Sequence, residues 1–320
     1  MTCMLRWLVI GVGDITTKRV IPAILQEGRS RLHGIVTRDP AKAAPYGVRA
    51  FLSLDDALAD GAFDAIYVAS PVFLHATQTI QSLLAGHHVL CEKPMAMNLT
   101  ESQAMLEAAR TSGKQLGVAY YRRTYPKVKR ALDLLREGAI GQPVSAYVSC
   151  HNWFTAGDGK RAWLLDPGKA GGGPLYDIGC HRIDLLNYFF GEPLAVRALL
   201  SNAVHQTAVE DSATALIKYP KHVHAIVDVR WHSRVTRDEF RIFGVQGEID
   251  LTPLNDPQLV SPSGREELPN HPNLHYPAIK NFVGAIEAGE PLLSSGDTAW
   301  WTDWVIQNAV ASGIEKTGKL

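Results

Sequence analysis

The chain of 320 residues has only four cysteines, Cys3, Cys91, Cys150 and Cys180, widely separated and without a CxxC pair. That excludes a zinc ribbon or a disulfide framework and points to a reducing, cytoplasmic compartment. A surplus of either charge is missing as well: Lys plus Arg and Asp plus Glu both number 32. No basic field is therefore available to collect nucleic-acid phosphates or anionic lipid. Long apolar runs are absent. The one at the start carries Arg6 and ends at Gly11, far short of the ~20 residues of a membrane span, and it lacks a signal peptide's cleavage site. There is no internal repeat and no low-complexity tract. The expected partner is a small molecule, with no nucleic acid and no membrane.

What is present is a pattern of βαβ units. Apolar runs at 5–10, 32–36, 65–69, 88–91 and 116–120 read as strands, and their near-continuous Val, Ile, Leu and Ala content suits parallel strands covered on both faces. Helical stretches at 20–27, 75–85 and 100–112 separate them, the last with Thr100 as its N-cap. The expectation is an α/β chain whose N-terminal domain, 1–121, is a doubly wound parallel sheet. Residues 122–320 form a second α/β domain. Its strands at 144–150, 195–201, 212–219, 222–231, 239–243 and 247–251 are joined by short links and make a largely antiparallel open sheet. Helices are expected at 126–138, 176–190, 276–288 and 298–315, and the proline-rich stretch 253–272 as a surface loop.

Gly11-Val12-Gly13-Asp14-Ile15-Thr16 directly follows the first strand. That is where a dinucleotide-binding fold needs glycines for a tight turn and close approach of pyrophosphate to backbone amides. Thr37 and Arg38 stand at the end of the second strand, a hydroxyl and a cation suited to a 2′-phosphate. NADP(H) is favoured; NAD(H) stays open through Asp39, although Pro40 after it favours a turn role.

Glu92-Lys93-Pro94 puts Lys93 at the carboxyl end of a strand, where open α/β sheets bind ligands. The run from Gly171 to Asp184 sets Asp177 and His181 four apart on one helical face. Imidazole, with an ordinary pKa of about 6.5, suits exchange of a hydroxyl proton near neutral pH. The carboxylate one turn earlier either orients the ring or touches the substrate. Asp184 keeps a metal reading alive, but no second histidine joins at ligand spacing, and Pro272 breaks His271 from His275, so no metal is expected.

The N-terminal GxGxxT, Ala69-Ser70-Pro71 with His75, Glu92-Lys93-Pro94, Tyr121-Arg122-Arg123 with Pro126, and the GGGxxxDxGxH run occur in that order over nearly the whole chain. Together they resemble the glucose–fructose oxidoreductase and inositol dehydrogenase family. The resemblance implies Lys93, Asp177 and His181 as the catalytic set. It implies a cofactor lining of Gly11, Gly13, Asp14, Ile15, Thr37, Arg38, Ser70, Pro71, His75, Glu92 and Lys93. Tyr121, Arg122 and Trp163 fall beside the substrate with Asp177 and His181. It also implies oligomer contacts through the open sheet, as a homodimer or homotetramer, and a catalytic cleft between the two domains. Val72 and Thr16 depart from the family pattern. Activity follows as hydride transfer to or from a secondary alcohol or ketone of a sugar or polyol; a non-catalytic NAD(P)-binding sensor, or an enzyme with a tightly held cofactor, is the alternative.

Overall fold

The computed structural model describes residues 4–156 and 161–313; Cys3 and the expected helical residues past 313 lie outside them. These residues form two compact units. The first joins residues 4–121 to His271–Trp300, and the second joins Arg122–Asn270 to residues 301–313. The sequence pattern assigns everything after residue 121 to the second part, whereas His271–Trp300 packs with the first. The cause is apolar burial. Ile279, Phe282 and Val283 of the helix Tyr276–Glu287 enter one core with Trp7, Val9, Ile21 and Ile24, and the Phe282 ring lies 5.6 Å from that of Trp7.

The first unit holds β1 (Leu5–Ile10), β2 (Ser30–Val36), β3 (Arg49–Phe51), β4 (Ala65–Val68), β5 (His88–Cys91) and β6 (Leu116–Val118), with α1 (Ile21–Gln26), α2 (Leu54–Asp60), α3 (His75–Leu84) and α4 (Leu99–Ser112). The six strands run parallel in the order β3-β2-β1-β4-β5-β6, the doubly wound Rossmann arrangement. The order reverses between β1 and β4, the point at which such sheets bind ligands.

Three local features differ from expectation. β3 and α2 are too short to show a period in the sequence; only the capping Ser53, whose hydroxyl accepts from Asp56 N–H, marks α2. Thr100 lies inside α4, and the cap is Asn98. Its side chain accepts from Glu101 N–H at 3.0 Å while the Glu101 carboxylate accepts from Met97 N–H at 3.1 Å, a reciprocal cap that a lone hydroxyl does not supply. The glycine turn opens into a π-helical turn, Thr16–Val20, before α1.

The second unit is built on β7 (Pro143–Trp153), β8 (Ala195–Ser201), β9 (Ser212–Lys218), β10 (His224–Arg230), β11 (His232–Gly244), β12 (Gly247–Asp250), β13 (Gln258–Ser261) and β14 (Gly264–Glu267), with helices α5 (Pro126–Arg136), α6 (Pro167–Ala170) and α7 (Cys180–Phe190). The order is β14-β13-β12-β11-β7-β10-β9-β8; β7 and β10 pair parallel and the other pairs are antiparallel. The hairpin β13–β14 occupies the stretch expected as loop. It is tied down by Lys127, which is fully buried and donates to the carbonyls of Leu251, Pro253 and Gln258 at 2.8, 2.6 and 3.3 Å.

Side chains alternate across this sheet with the strand period of two. Ala215, Ile217, Val227, Val229, Phe240 and Ile242 are buried, and Phe189 of α7 meets Phe240 edge-on at 5.8 Å. Leu199, Leu216 and Ile226 face outward, exposed by 75%, 55% and 38%. No helix among the described residues is long and apolar enough to cross a membrane.

Candidate active site

In the first unit the motif residues follow directly from the carboxyl ends of the central strands. The ladder runs one residue past each strand: Gly11 N–H donates to Val36 O, Ala69 N–H to Ile10 O, and Glu92 N–H to Val68 O. Gly11 has φ +90°, and a Cβ there would stand 2.8 Å from Ala69 O. Only glycine meets both demands, so the turn lies against Ala69-Ser70 at the switch point. At Gly13 a Cβ would meet nothing within 4 Å; the turn opens into free space there. Thr16, where the motif has a small residue, is buried and closes the turn on itself. Its hydroxyl accepts from Gly13 N–H at 2.7 Å and donates to Gly13 O at 2.8 Å. Asp14 and Ile15 are exposed on the outer side of this turn, Asp14 paired with Lys18 at 2.8 Å.

At the end of β2, the Thr37 hydroxyl accepts from Asp39 N–H at 3.2 Å, and the Asp39 carboxylate accepts from Ala41 N–H at 3.1 Å. Asp39 thus caps the turn Pro40–Lys42. Arg38 between them is exposed and has no hydrogen bond or ion pair among the described residues.

Ser70, Pro71 and Lys93 are half-buried, and Ser70 Oγ donates to Gln78 Oε1 at 2.7 Å. His75 is more deeply buried than these three. It is 1% exposed, with Nε2 2.9 Å from Ser70 O and Nδ1 3.0 Å from Pro94 O, so it braces the two loops that carry Ser70 and Lys93. Burial pushes its pKa down. Glu92 is also buried. Burial pushes its carboxyl up, but the nearby His275 imidazole, the Tyr67 hydroxyl and Lys93 outweigh it, and its pKa falls to about 2. Tyr121 packs on His275 at 4.4 Å. Nothing in the sequence pattern singles out Tyr67 or His275, because each meets Glu92 only through the fold.

In the second unit Asp177 lies in a π-helical turn, Leu175–Gly179, and His181 in the first turn of α7. The two residues thus stand four apart across the junction of the π turn with α7. Asp177 Oδ2 accepts from Arg161 Nη2 at 3.3 Å; His181 is 6% exposed. The three glycines before them are explained by Glu210 and Tyr176. A Cβ on Gly173 would fall 1.9 Å from Glu210 O, and Cβ atoms on Gly171 and Gly172 would strike the Tyr176 ring. The Glu210 carboxylate accepts from Gly173 N–H at 2.8 Å and Leu175 N–H at 3.2 Å, meeting donors that the start of a helix leaves open. Glu210 has no motif signal and is missed from sequence.

Asp184 does not join a metal set: it takes two hydrogen bonds from Arg123, at 2.9 and 2.5 Å, with side chains 3% and 1% exposed. Arg122 is buried and donates to Asn255 Oδ1 at 3.4 Å, an oxygen shared with the Tyr125 hydroxyl. Trp163 packs partly on the cluster of Phe154, Leu164, Val209 and Trp231, where Phe154 stacks on Trp231 at 4.3 Å.

Residues 5–120 match the model of an oxidoreductase family with an NAD-binding Rossmann fold, and residues 128–250 match the GFO/IDH/MocA C-terminal domain. The 1,5-anhydro-D-fructose reductase of Ensifer adhaerens is 30% identical over 97% of both chains. The chain belongs to the GFO/IDH/MocA oxidoreductase family. An NADP(+) D-xylose 1-dehydrogenase of Haloarcula marismortui is 26% identical over 78% of this chain and 72% of its own. The crystal structure of aldose–aldose oxidoreductase from Caulobacter crescentus, complexed with glycerol, superposes with a TM-score of 0.87 at 25% identity and 97% coverage of each chain. The family and fold expected from the motifs therefore hold. The chain is an NAD(P)-binding oxidoreductase, and the sensor reading is set aside.

Proposed function

We propose that this oxidoreductase moves hydride between NADP(H) and a carbon bearing a secondary hydroxyl or ketone in a sugar, polyol or anhydro-sugar. The observation that carries the reading is the placing of Asp177 and His181 four residues apart, in adjoining helical turns that follow a glycine run with no room for other residues. The likeness to a reductase of an anhydro-ketose supports the substrate class.

The first unit suits a dinucleotide. The glycine turn opens at Gly13 beside the switch point, and Arg38 is free to meet a 2′-phosphate, which favours NADP(H) over NAD(H). Gly11, Gly13, Asp14 and Ile15 would hold the pyrophosphate through backbone amides, with Thr37 and Arg38 at the ribose. Ser70, Pro71 and Glu92 would line the nicotinamide side, with His75 bracing their loops. The bound cofactor supplies or accepts the hydride at its nicotinamide C4. Lys93, as an ammonium, polarises the substrate oxygen; His181 gives that oxygen a proton on reduction and takes it on oxidation; Asp177 holds the imidazole or a neighbouring hydroxyl. Tyr121, Arg122 and Trp163 supply ring surface and a hydroxyl clamp.

The exposed Leu199, Leu216 and Ile226 on the second unit's open sheet support a homodimer or homotetramer formed through that face. The buried free thiols of Cys91, Cys150 and Cys180 support a cytoplasmic setting. The test is a fluorescence titration with NADPH and NADH, then turnover of 1,5-anhydro-D-fructose and a polyol panel beside Lys93→Met and His181→Ala. Failure to bind either nucleotide refutes the reading. Turnover by both variants at the wild-type rate refutes the assigned site.

A further inference from the structure

Behind Lys93 lies a buried polar chain in which Tyr67 and His275 have no part in the proposed reaction. Tyr67 is fully buried and donates its hydroxyl proton to Glu92 Oε1 at 2.7 Å. The same oxygen stands 3.5 Å from Nε2 of His275, itself 1% exposed. Glu92 Oε2 accepts the backbone N–H of Lys93 at 3.2 Å. The His275 ring also packs on that of Tyr121, with centroids 4.4 Å apart and planes tilted by 33°. An isolated carboxyl at such depth would be neutral. A hydroxyl, an imidazole and a backbone amide converging on one carboxylate are instead the arrangement that keeps it charged. One of the three comes from β4 and another from the distant segment His271–Trp300, at the residue preceding the helix Tyr276–Glu287.

We infer that His275 is a positioning residue for Lys93: with Tyr67 it holds the Glu92 carboxylate as an anion against Lys93, and with its ring it seats Tyr121. The inference rests on the reading of Lys93 as the group that polarises the substrate oxygen. A fixed negative charge beside an ammonium favours the protonated amine, the form that polarisation needs. The titratable groups around Glu92 are Tyr67, Lys93, His275 and His75. Of these, His275 both faces the carboxylate and packs against Tyr121.

The test uses Glu92→Gln, His275→Phe, which keeps the ring contact without the donor, and His275→Gln, which keeps a donor. The titration midpoint of Lys93, read by NMR of the 13C-dimethylated side chain in nucleotide-free protein, should fall by about one unit in Glu92→Gln. It should fall by a smaller amount in His275→Phe and return toward wild type in His275→Gln. With NADPH and 1,5-anhydro-D-fructose, kcat should drop about tenfold in Glu92→Gln, the same one-unit loss expressed as a rate. An unchanged Lys93 midpoint in both Glu92→Gln and His275→Phe, each shown by circular dichroism to be folded at the temperature of the titration, overturns the inference. Should the wild type turn over neither sugar nor polyol, the proposed function fails, yet the Lys93 titration still decides whether His275 and Glu92 hold that lysine.

Discussion

Arg123 and Asp184 lie in the interior of the second unit with side chains 3% and 1% exposed, joined by two hydrogen bonds in a forked geometry. Replacing Arg123 with Met keeps much of the volume and removes the cation, which leaves the buried Asp184 carboxyl without its countercharge and the two hydrogen bonds it accepted. Breaking a buried pair from one side costs about 3–5 kcal/mol, a large part of the roughly 5–15 kcal/mol that holds a domain together. Removing both charges, as in Arg123→Met with Asp184→Leu, deletes the desolvation cost along with the attraction. That double variant should lie within about 1–2 kcal/mol of wild type. Urea unfolding followed by tryptophan fluorescence reads the difference. With a slope of about 1–3 kcal/mol per molar, the single variant's midpoint should drop by 1 M or more, and the double variant should recover most of that loss. A single variant that loses less than about 1 kcal/mol, or a double variant as unstable as the sum of the two singles, would refute the argument and mean that water reaches the pair.

The Glu92 carboxyl, held at about 2 against an ordinary 4.5, stabilises the fold above pH 4.5, and this contribution is lost as pH falls from 4.5 to 2. The linkage amounts to about 3 kcal/mol, so acid unfolding of Glu92→Gln should show a flatter dependence across that window. Gly173→Ala pushes a methyl into Glu210 O and displaces a carboxylate that caps two amides. A loss of about 3 kcal/mol in thermal unfolding is expected. Gly13→Ala, with nothing within 4 Å of its new carbon, should leave melting unchanged and weaken nucleotide binding instead. Arg38→Ser should raise the Kd of NADPH about 10- to 100-fold, a charged hydrogen bond's worth, and leave that of NADH unchanged in the same titration.

The parallel sheet, the glycine turn and the Asp177 to His181 spacing were legible because each is local: an unbroken apolar run, a tight turn and a single helix turn. What escaped was set by distance along the chain. His275 meets Glu92, Glu210 caps the helix that carries Asp177, and Arg123 takes up Asp184. No period or motif links such partners. β3, with three residues, and β13 and β14, with four each, fall below the length at which alternation can be distinguished from a loop. His75 matched a motif position, but its hold on the carbonyls of Ser70 and Pro94 was not legible, because a spacing specifies where a side chain starts and not which way its ring nitrogens face.

The return of His271–Trp300 to the first unit bears on how the chain matures. Ile279, Phe282 and Val283 complete a core that begins at Leu5, yet about 150 residues must emerge between Tyr121 and His271. At roughly 5–20 residues per second, that is a delay of about 8–30 s during which the nascent Rossmann sheet presents an uncovered apolar flank. Newly made chains should therefore engage holding chaperones until translation nears its end, and a fragment stopped at residue 121 should aggregate rather than fold as an independent nucleotide-binding module.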